Sequence, residues 1–142
     1  MKLRLFTPGP TMVSHDVLLE MAQPLDHHRT AGFKETFKEC VELLAYVLQT
    51  KNQPLIITGS GTAAMEAAIV GCCKPDSKTL VCHSGKFGER WQKVLKAFKL
   101  PHVELKREYG TGIKAEMVAE ELKKNPEIKA CIFVHSETST CA

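Results

Sequence analysis

Apolar residues recur along the chain in two rhythms, which predict helices that alternate with buried strands. Between residues 32 and 50 they fall three and four positions apart, with Lys and Glu on the opposite face, the spacing of an amphipathic helix. From Pro54 onwards, short and almost continuous apolar runs alternate with amphipathic segments. Continuous apolar runs of this length are typical of strands that are covered on both faces of a sheet.

These rhythms predict five helices and four strands. A short helix follows the Pro-rich loop of residues 7–11, is capped by Ser14 and carries Val17, Leu18 and Met21. The other predicted helices are residues 32–50, 62–73, 86–99 and 114–124, and the predicted strands are residues 55–57, 79–82, 102–105 and 130–134. Strands that alternate with helices indicate an α/β fold, with three α/β/α layers around a mostly parallel sheet.

Composition narrows the class of protein. The 142 residues are 44% hydrophobic and 25% charged, the balance of a folded globular domain. A net charge of +3 is too small to indicate nucleic acid or an anionic membrane as a partner. The six cysteines lack a C-x-x-C pair, so we expect reduced thiols, no metal site and a cytoplasmic location.

In an open α/β sheet, ligands bind at the carboxyl ends of the strands, and the segment Gly59-Ser60-Gly61-Thr62 falls at such an end. Glycines allow close approach of a ligand, and the start of a helix attracts anions. The segment predicts a phosphate site, although a plain helix cap with a glycine turn fits equally well.

The same segment matches a dinucleotide fingerprint, G-x-G-x-x-A, because Ala64 stands three residues after Gly61. A dinucleotide site also needs an acidic residue at the end of the next strand. That strand ends in Cys-His-Ser, and no acid follows before Glu89. The pattern counts against NAD, and a nucleotide-binding module remains the alternative.

Two further segments lie at predicted strand ends. Phe87 stands between two glycines, so it either stacks on a flat ligand ring or is the first core residue of the following helix. Residues 135–140 carry four hydroxyls and one carboxylate. They either hydrogen-bond a ligand or form an ordinary turn.

Taken in order, five segments resemble the class V aminotransferases, the pyridoxal 5′-phosphate (PLP) enzymes that include alanine–glyoxylate and serine–pyruvate aminotransferases. The segments are residues 7–11, 27–29, 59–67, 85–91 and 135–140. The resemblance covers almost the whole chain. It implies the N-terminal part of a PLP-dependent transferase large domain, with an arm and short helix at residues 1–31 and the first part of the PLP-binding domain at residues 32–142.

The resemblance also implies a role for particular residues. Those concerned are Ser60, Gly61 and Thr62 for the PLP phosphate, Phe87 for stacking on the pyridine ring, Thr138 for a hydrogen bond near the ring oxygen, and Gly9 for an approach to the substrate carboxylate. The implied reaction transfers an amino group from a small amino acid of the alanine or serine type to a 2-oxo acid such as glyoxylate or pyruvate. The implied assembly is a homodimer.

The chain departs from the family pattern at its end. The family's hydroxyl motif normally ends in Gly, where this chain has Cys141. The family's Schiff-base Lys, its pyridine-pairing Asp and its carboxylate-binding Arg are expected beyond Ala142, so no catalytic residue is assigned. We therefore expect an N-terminal piece of such an enzyme that is inactive by itself, with a non-catalytic fragment as a further alternative.

Overall fold

The computed structural model describes residues 4–141. By its internal packing the chain divides between residues 57 and 58 into two compact units. The first unit contains α1 (His15–Met21) and α2 (Ala31–Val47). The second contains α3 (Gly61–Cys72), β1 (Lys78–His83), α4 (Lys86–Ala97), β2 (His102–Lys106), α5 (Ala115–Lys124) and β3 (Ile128–Ile132). All five predicted helices are therefore present.

The two helices of the first unit begin and end for local reasons. Ser14 occupies the predicted cap position of α1, but its side chain makes no capping hydrogen bond. Thr30 does cap α2, because its hydroxyl accepts from the Phe33 amide at 3.2 Å. Helix α2 ends three residues before the predicted end: Gln49 has a φ of 50°, the left-handed conformation that terminates a helix.

The predicted strand at residues 55–57 is wrong. The segment has no regular structure, and its three apolar side chains are exposed, Leu55 by 82%. A strand is stable only when a neighbouring strand pairs with its backbone. The sheet among the described residues consists of β1, β2 and β3 alone.

The sheet has the order β2-β1-β3, and both pairs are parallel. Strand β1 is central, so its residues 79–83 are buried on both faces. The predicted parallel sheet is confirmed. Strand β3 lies two residues before its predicted position: its last partner is Val81 opposite Ile132, and the apolar pair Phe133 and Val134 leaves the ladder.

Helices cover both faces of this sheet, which confirms the three layers. On one face, α3 and α4 pack on β1 through Ile69, Leu95 and Val81. On the other face, α5 covers a second cluster that includes Leu80 and Cys82. Because side chains alternate along β1, Val81 and Cys82 belong to opposite faces.

Two further points concern the predicted domain division and the search for membrane-spanning helices. The predicted division at residues 31 and 32 concerns the domain of a longer enzyme and stays a prediction; its ranges include residues 1–3 and 142, which lie outside the described part. Within residues 4–141, no helix combines the length and the apolar character needed to cross a bilayer.

Candidate functional site

The second unit gathers the predicted phosphate, ring and hydroxyl segments around the start of α4. Helix α4 begins at Lys86, just after the carboxyl end of β1. Arg90 of α4 donates from Nη1 to the Thr62 hydroxyl at 2.8 Å, which ties the first turn of α3 to α4. The turn after β3 ties to α4 as well, since the Lys86 amide donates to Ser139 Oγ at 2.9 Å. Gly9 belongs to the first unit.

The first turn of α3 has the form of an anion site. Ser60 is the N-cap, and its carbonyl accepts from the Ala63 amide at 2.9 Å. The preceding amides, of Gly61 and Thr62, are among those that a helix leaves without an intrahelical partner. They point out of the positive end of the helix dipole.

The two glycines of this segment differ in what surrounds them. A Cβ at Gly59 would lie 2.9 Å from the Cβ of Ala63, so the absence of a side chain allows the turn to close. A Cβ at Gly61 would meet nothing within 4 Å. The space beside Gly61 is therefore open to a ligand that approaches the first amides of α3.

Arg90 is a residue that the sequence interpretation did not select. Its guanidinium adds a permanent positive charge beside the first turn of α3, through the bond to Thr62. Arginine presents several N–H donors in one plane, which suits phosphate oxygens. The sequence feature that could have identified Arg90 is its position three residues after Phe87, on the same face of the helix.

The start of α4 is capped from a distant part of the chain. Gly85 holds the N-cap position but has no side chain to accept a hydrogen bond. The Glu137 carboxylate accepts instead, from the Gly88 amide at 2.9 Å and from the Phe87 amide at 3.3 Å. Ser139 donates its hydroxyl to the same carboxylate at 2.6 Å and its amide at 3.2 Å. Glu137 was not selected from sequence.

Glu137 is buried, and its surroundings favour the ionised carboxylate. It is 4% exposed, and burial by itself raises the pKa of its carboxyl group. Hydrogen bonds from the Ser139 hydroxyl and from the amides of Gly88, Phe87 and Ser139 more than offset the burial, so the pKa lies below its usual value. A carboxylate at a helix N-terminus is also favoured by the helix dipole.

Two glycines allow this arrangement. A Cβ at Gly85 would overlap the Glu137 side chain, and a Cβ at Gly88 would overlap the Cβ of His83. His83 is itself held by Glu104, with Nε2 2.7 Å from Oε1. The start of α4 therefore lies directly against both β1 and Glu137.

Phe87 is 46% exposed, so it is not a buried core residue, and its stacking on a ligand ring stays a prediction. Thr138 is exposed and lies between Glu137 and Ser139 in a turn closed by the Glu137 carbonyl, which accepts from the Thr140 amide at 3.1 Å. The five predicted cofactor residues thus lie on three segments that hydrogen bonds connect.

A cavity of about 500 Å³ opens on the α5 side of the sheet, and Glu137 contributes to its lining. Its lining is mainly apolar and comes from β1, β3, α5 and the loops beside them; among the described residues, none of the five predicted cofactor residues contributes to it. Cys82 and Cys131 line it with their sulfurs 4.0 Å apart. Burial and the neighbouring Cys131 raise the pKa of Cys82 to about 12. All six cysteines are free thiols.

No group of three or more His, Cys, Asp or Glu side chains suited to a metal ion occurs within residues 4–141.

No protein-family model matches the chain. Among curated proteins, it is 43% identical over 141 residues to an uncharacterised aminotransferase of Methanocaldococcus jannaschii, covering 99% of this chain and 37% of that protein. It is 40% identical over 141 residues to a protein named soluble hydrogenase 42 kDa subunit of Anabaena cylindrica, covering 98% and 37%. It is 33% identical over 139 residues to a serine–glyoxylate aminotransferase of Methylorubrum extorquens, covering 96% and 35%.

A solved structure has the same fold. The crystal structure of ureidoglycine–glyoxylate aminotransferase from Bacillus subtilis matches with a TM-score of 0.89 and 31% identity, over 99% of this chain and 36% of that one. The chain therefore spans little more than a third of the length of the proteins that it matches.

Proposed function

We propose that the chain belongs to the class V aminotransferase family and that its residues 58–141 bind pyridoxal 5′-phosphate. The observation that carries the proposal is the first turn of α3, where Ser60, the open space at Gly61 and the Arg90–Thr62 pair adjoin free helix amides. An anion at such a helix start gains hydrogen bonds and a favourable dipole interaction.

The residues present fit the chemistry of this cofactor. The amides of Gly61 and Thr62 and the hydroxyls of Ser60 and Thr62 would hold the phosphate, and Arg90 would add a positive charge. The half-exposed ring of Phe87 offers a face for the pyridine ring. The exposed Thr138 hydroxyl supplies a donor near the ring oxygen. When bound, PLP supplies an electron sink for chemistry at the α-carbon of an amino acid.

The activity that we propose for the whole protein is transamination. An amino group passes from a small amino acid of the alanine or serine type to a 2-oxo acid such as glyoxylate or pyruvate. The names of the Methylorubrum and Bacillus proteins include glyoxylate, which supports an acceptor of this class. Gly9 approaches the substrate carboxylate in this proposal. We propose a cytoplasmic homodimer, and we assign no Schiff-base lysine among the residues present.

Calorimetric titration of the chain with pyridoxamine 5′-phosphate tests the cofactor proposal. This probe has the phosphate and the ring but no aldehyde, so it does not label surface lysines. We expect saturable one-to-one binding, with pyridoxamine at least about tenfold weaker because it lacks the phosphate. Saturable binding of NAD with no binding of pyridoxamine phosphate would overturn the proposal in favour of a dinucleotide module.

A matched pair of variants locates the binding. Ser60→Ala removes a hydroxyl at the start of α3, and Ser14→Ala removes one at the start of α1, which makes no capping bond. We expect Ser60→Ala to bind pyridoxamine phosphate more weakly and Ser14→Ala to bind it as the unmodified chain does. Equal affinity for all three proteins would place the ligand elsewhere.

A further inference from the structure

We propose that Glu137 is a positioning residue that holds the ring face of Phe87 in one geometry relative to the Thr138 turn. The inference rests on the proposed function, because it assigns to Glu137 a role at the same cofactor site. Glu137 touches neither the phosphate segment nor a ligand in this proposal. It acts through the two backbone segments that it joins.

The Glu137 carboxylate joins the first turn of α4 to the turn after β3. Its Oε1 accepts from the Phe87 amide and from Ser139, and its Oε2 accepts from the Gly88 amide. Ser139 Oγ in turn accepts from the Lys86 amide. Three hydrogen bonds therefore join the first turn of α4 to the turn after β3, and the two from Ser139 to Glu137 fix the carboxylate within that turn.

Only a buried carboxylate can make this set of hydrogen bonds between the two segments. Each of its two oxygens accepts at least one N–H, and Glu137 is 4% exposed, so water does not readily replace a lost partner. A glutamine side chain at this position would present an NH2 group toward N–H donors at one end. The lack of a side chain at Gly85 leaves the space that the Glu137 side chain occupies.

The hydrogen bonds between the two segments control the position of Phe87. Phe87 is at the second position of α4, where helices fray most readily unless they are capped. The residue is nearly half exposed. The hydrogen bond that the Phe87 amide donates to Glu137 therefore orders this residue. Thr138 is the residue next to Glu137 in sequence.

Glu137→Gln in this chain tests the proposal with two readouts, ligand affinity and amide hydrogen exchange. The ligands are pyridoxamine phosphate, which uses ring and phosphate contacts, and inorganic phosphate, which uses phosphate contacts alone. We expect pyridoxamine phosphate to bind roughly three- to tenfold more weakly, the range of a lost aromatic contact. We expect inorganic phosphate affinity to change by less than about twofold, since the first turn of α3 is not altered.

Amide hydrogen exchange measures the hydrogen bonds between Glu137 and the first turn of α4 without any ligand. The amides of Phe87 and Gly88 should exchange at least about tenfold faster in Glu137→Gln, whereas the central amides of β1 should not change. Ser139→Ala should have the same effects, and Ser139→Thr, which keeps the hydroxyl, should restore both readouts.

Glu89→Gln is the matched control. It removes a carboxylate from the first turn of α4, but the partners of Glu89 are the side chains of Lys86, Lys93 and Tyr109. This control should leave the exchange of Phe87 and the affinity for pyridoxamine phosphate unchanged.

The possible results distinguish a failure of the role assigned to Glu137 from a failure of the proposed cofactor site. If Glu137→Gln binds pyridoxamine phosphate as tightly as the unmodified chain, the positioning role is overturned and the cofactor site stands. If the two ligands weaken equally, Glu137 supports the fold in general, and the positioning role is again overturned. If the unmodified chain binds no pyridoxamine phosphate, the proposed function fails and the role assigned to Glu137 fails with it.

Discussion

Replacing Gly88 by Ala should destabilise the chain, although Ala is the better helix former. Gly88 lies in the first turn of α4, where its missing side chain lets the helix approach β1. A Cβ there would overlap the Cβ of His83 and lie 3.1 Å from its Cα. β1 pairs on both sides, so His83 has little freedom to move away.

Two opposing effects set the magnitude. The intrinsic helix preference of Ala over Gly favours the variant by about 1 kcal/mol. Overpacking a buried contact costs about 1–3 kcal/mol and sometimes more, and the upper part of that range applies because the contact is with the main chain of a central strand. The net expectation is a loss of about 1–2 kcal/mol in the free energy of unfolding.

Urea unfolding followed by circular dichroism measures this loss. With a urea slope of about 1–3 kcal/mol per molar, the midpoint should fall by roughly 0.3–2 M. Gly71→Ala in α3 is the matched control, since a Cβ there would meet nothing within 4 Å. The control should gain up to about 1 kcal/mol in the free energy of unfolding. Equal stabilisation by both substitutions would refute the close contact between α4 and β1.

Three further outcomes follow from the site. Phe87→Ala should weaken pyridoxamine phosphate binding roughly three- to tenfold by calorimetry, and Phe87→Tyr should restore it. Cys82, with its pKa of about 12, should resist iodoacetamide at about pH 9 while the exposed Cys131 reacts, as peptide mass spectrometry would show. Because folding lowers the pKa of Glu137 below its ordinary 4.5, its stabilisation should be complete above about pH 4.5 and lost as the pH falls through the lower folded-state value. Urea unfolding of Glu137→Gln should show a smaller loss between neutral and acid pH than the unmodified chain.

The helices and three of the strands, with β3 displaced by two residues, follow from local patterns, because amphipathic spacing and helix caps involve residues close in sequence. The strand predicted at residues 55–57 fails for the opposite reason. An apolar run resembles a strand, but only a pairing partner makes it one, and pairing is not visible in a local pattern.

The same difference between local patterns and long-range contacts explains which site residues could be predicted from the sequence. The start of α3 could be predicted from a glycine turn followed directly by a helix. Glu137 could not, since its partners Phe87 and Gly88 lie 50 and 49 residues away in sequence. Arg90 likewise lies 28 residues from Thr62. Contacts of this length depend on how β1, β3 and α4 assemble.

In the proposed function, the first turn of α3 holds the phosphate of the cofactor. A titration of the isotope-labelled chain with pyridoxamine phosphate, followed by amide resonances in two-dimensional NMR, tests it most directly. We predict saturable shifts at the amides of Gly61 and Thr62, with Phe87 shifting in parallel and the amides of α5 unchanged. Shifts that do not saturate, or that saturate only at α5 and the cavity beside Cys82, would contradict the account.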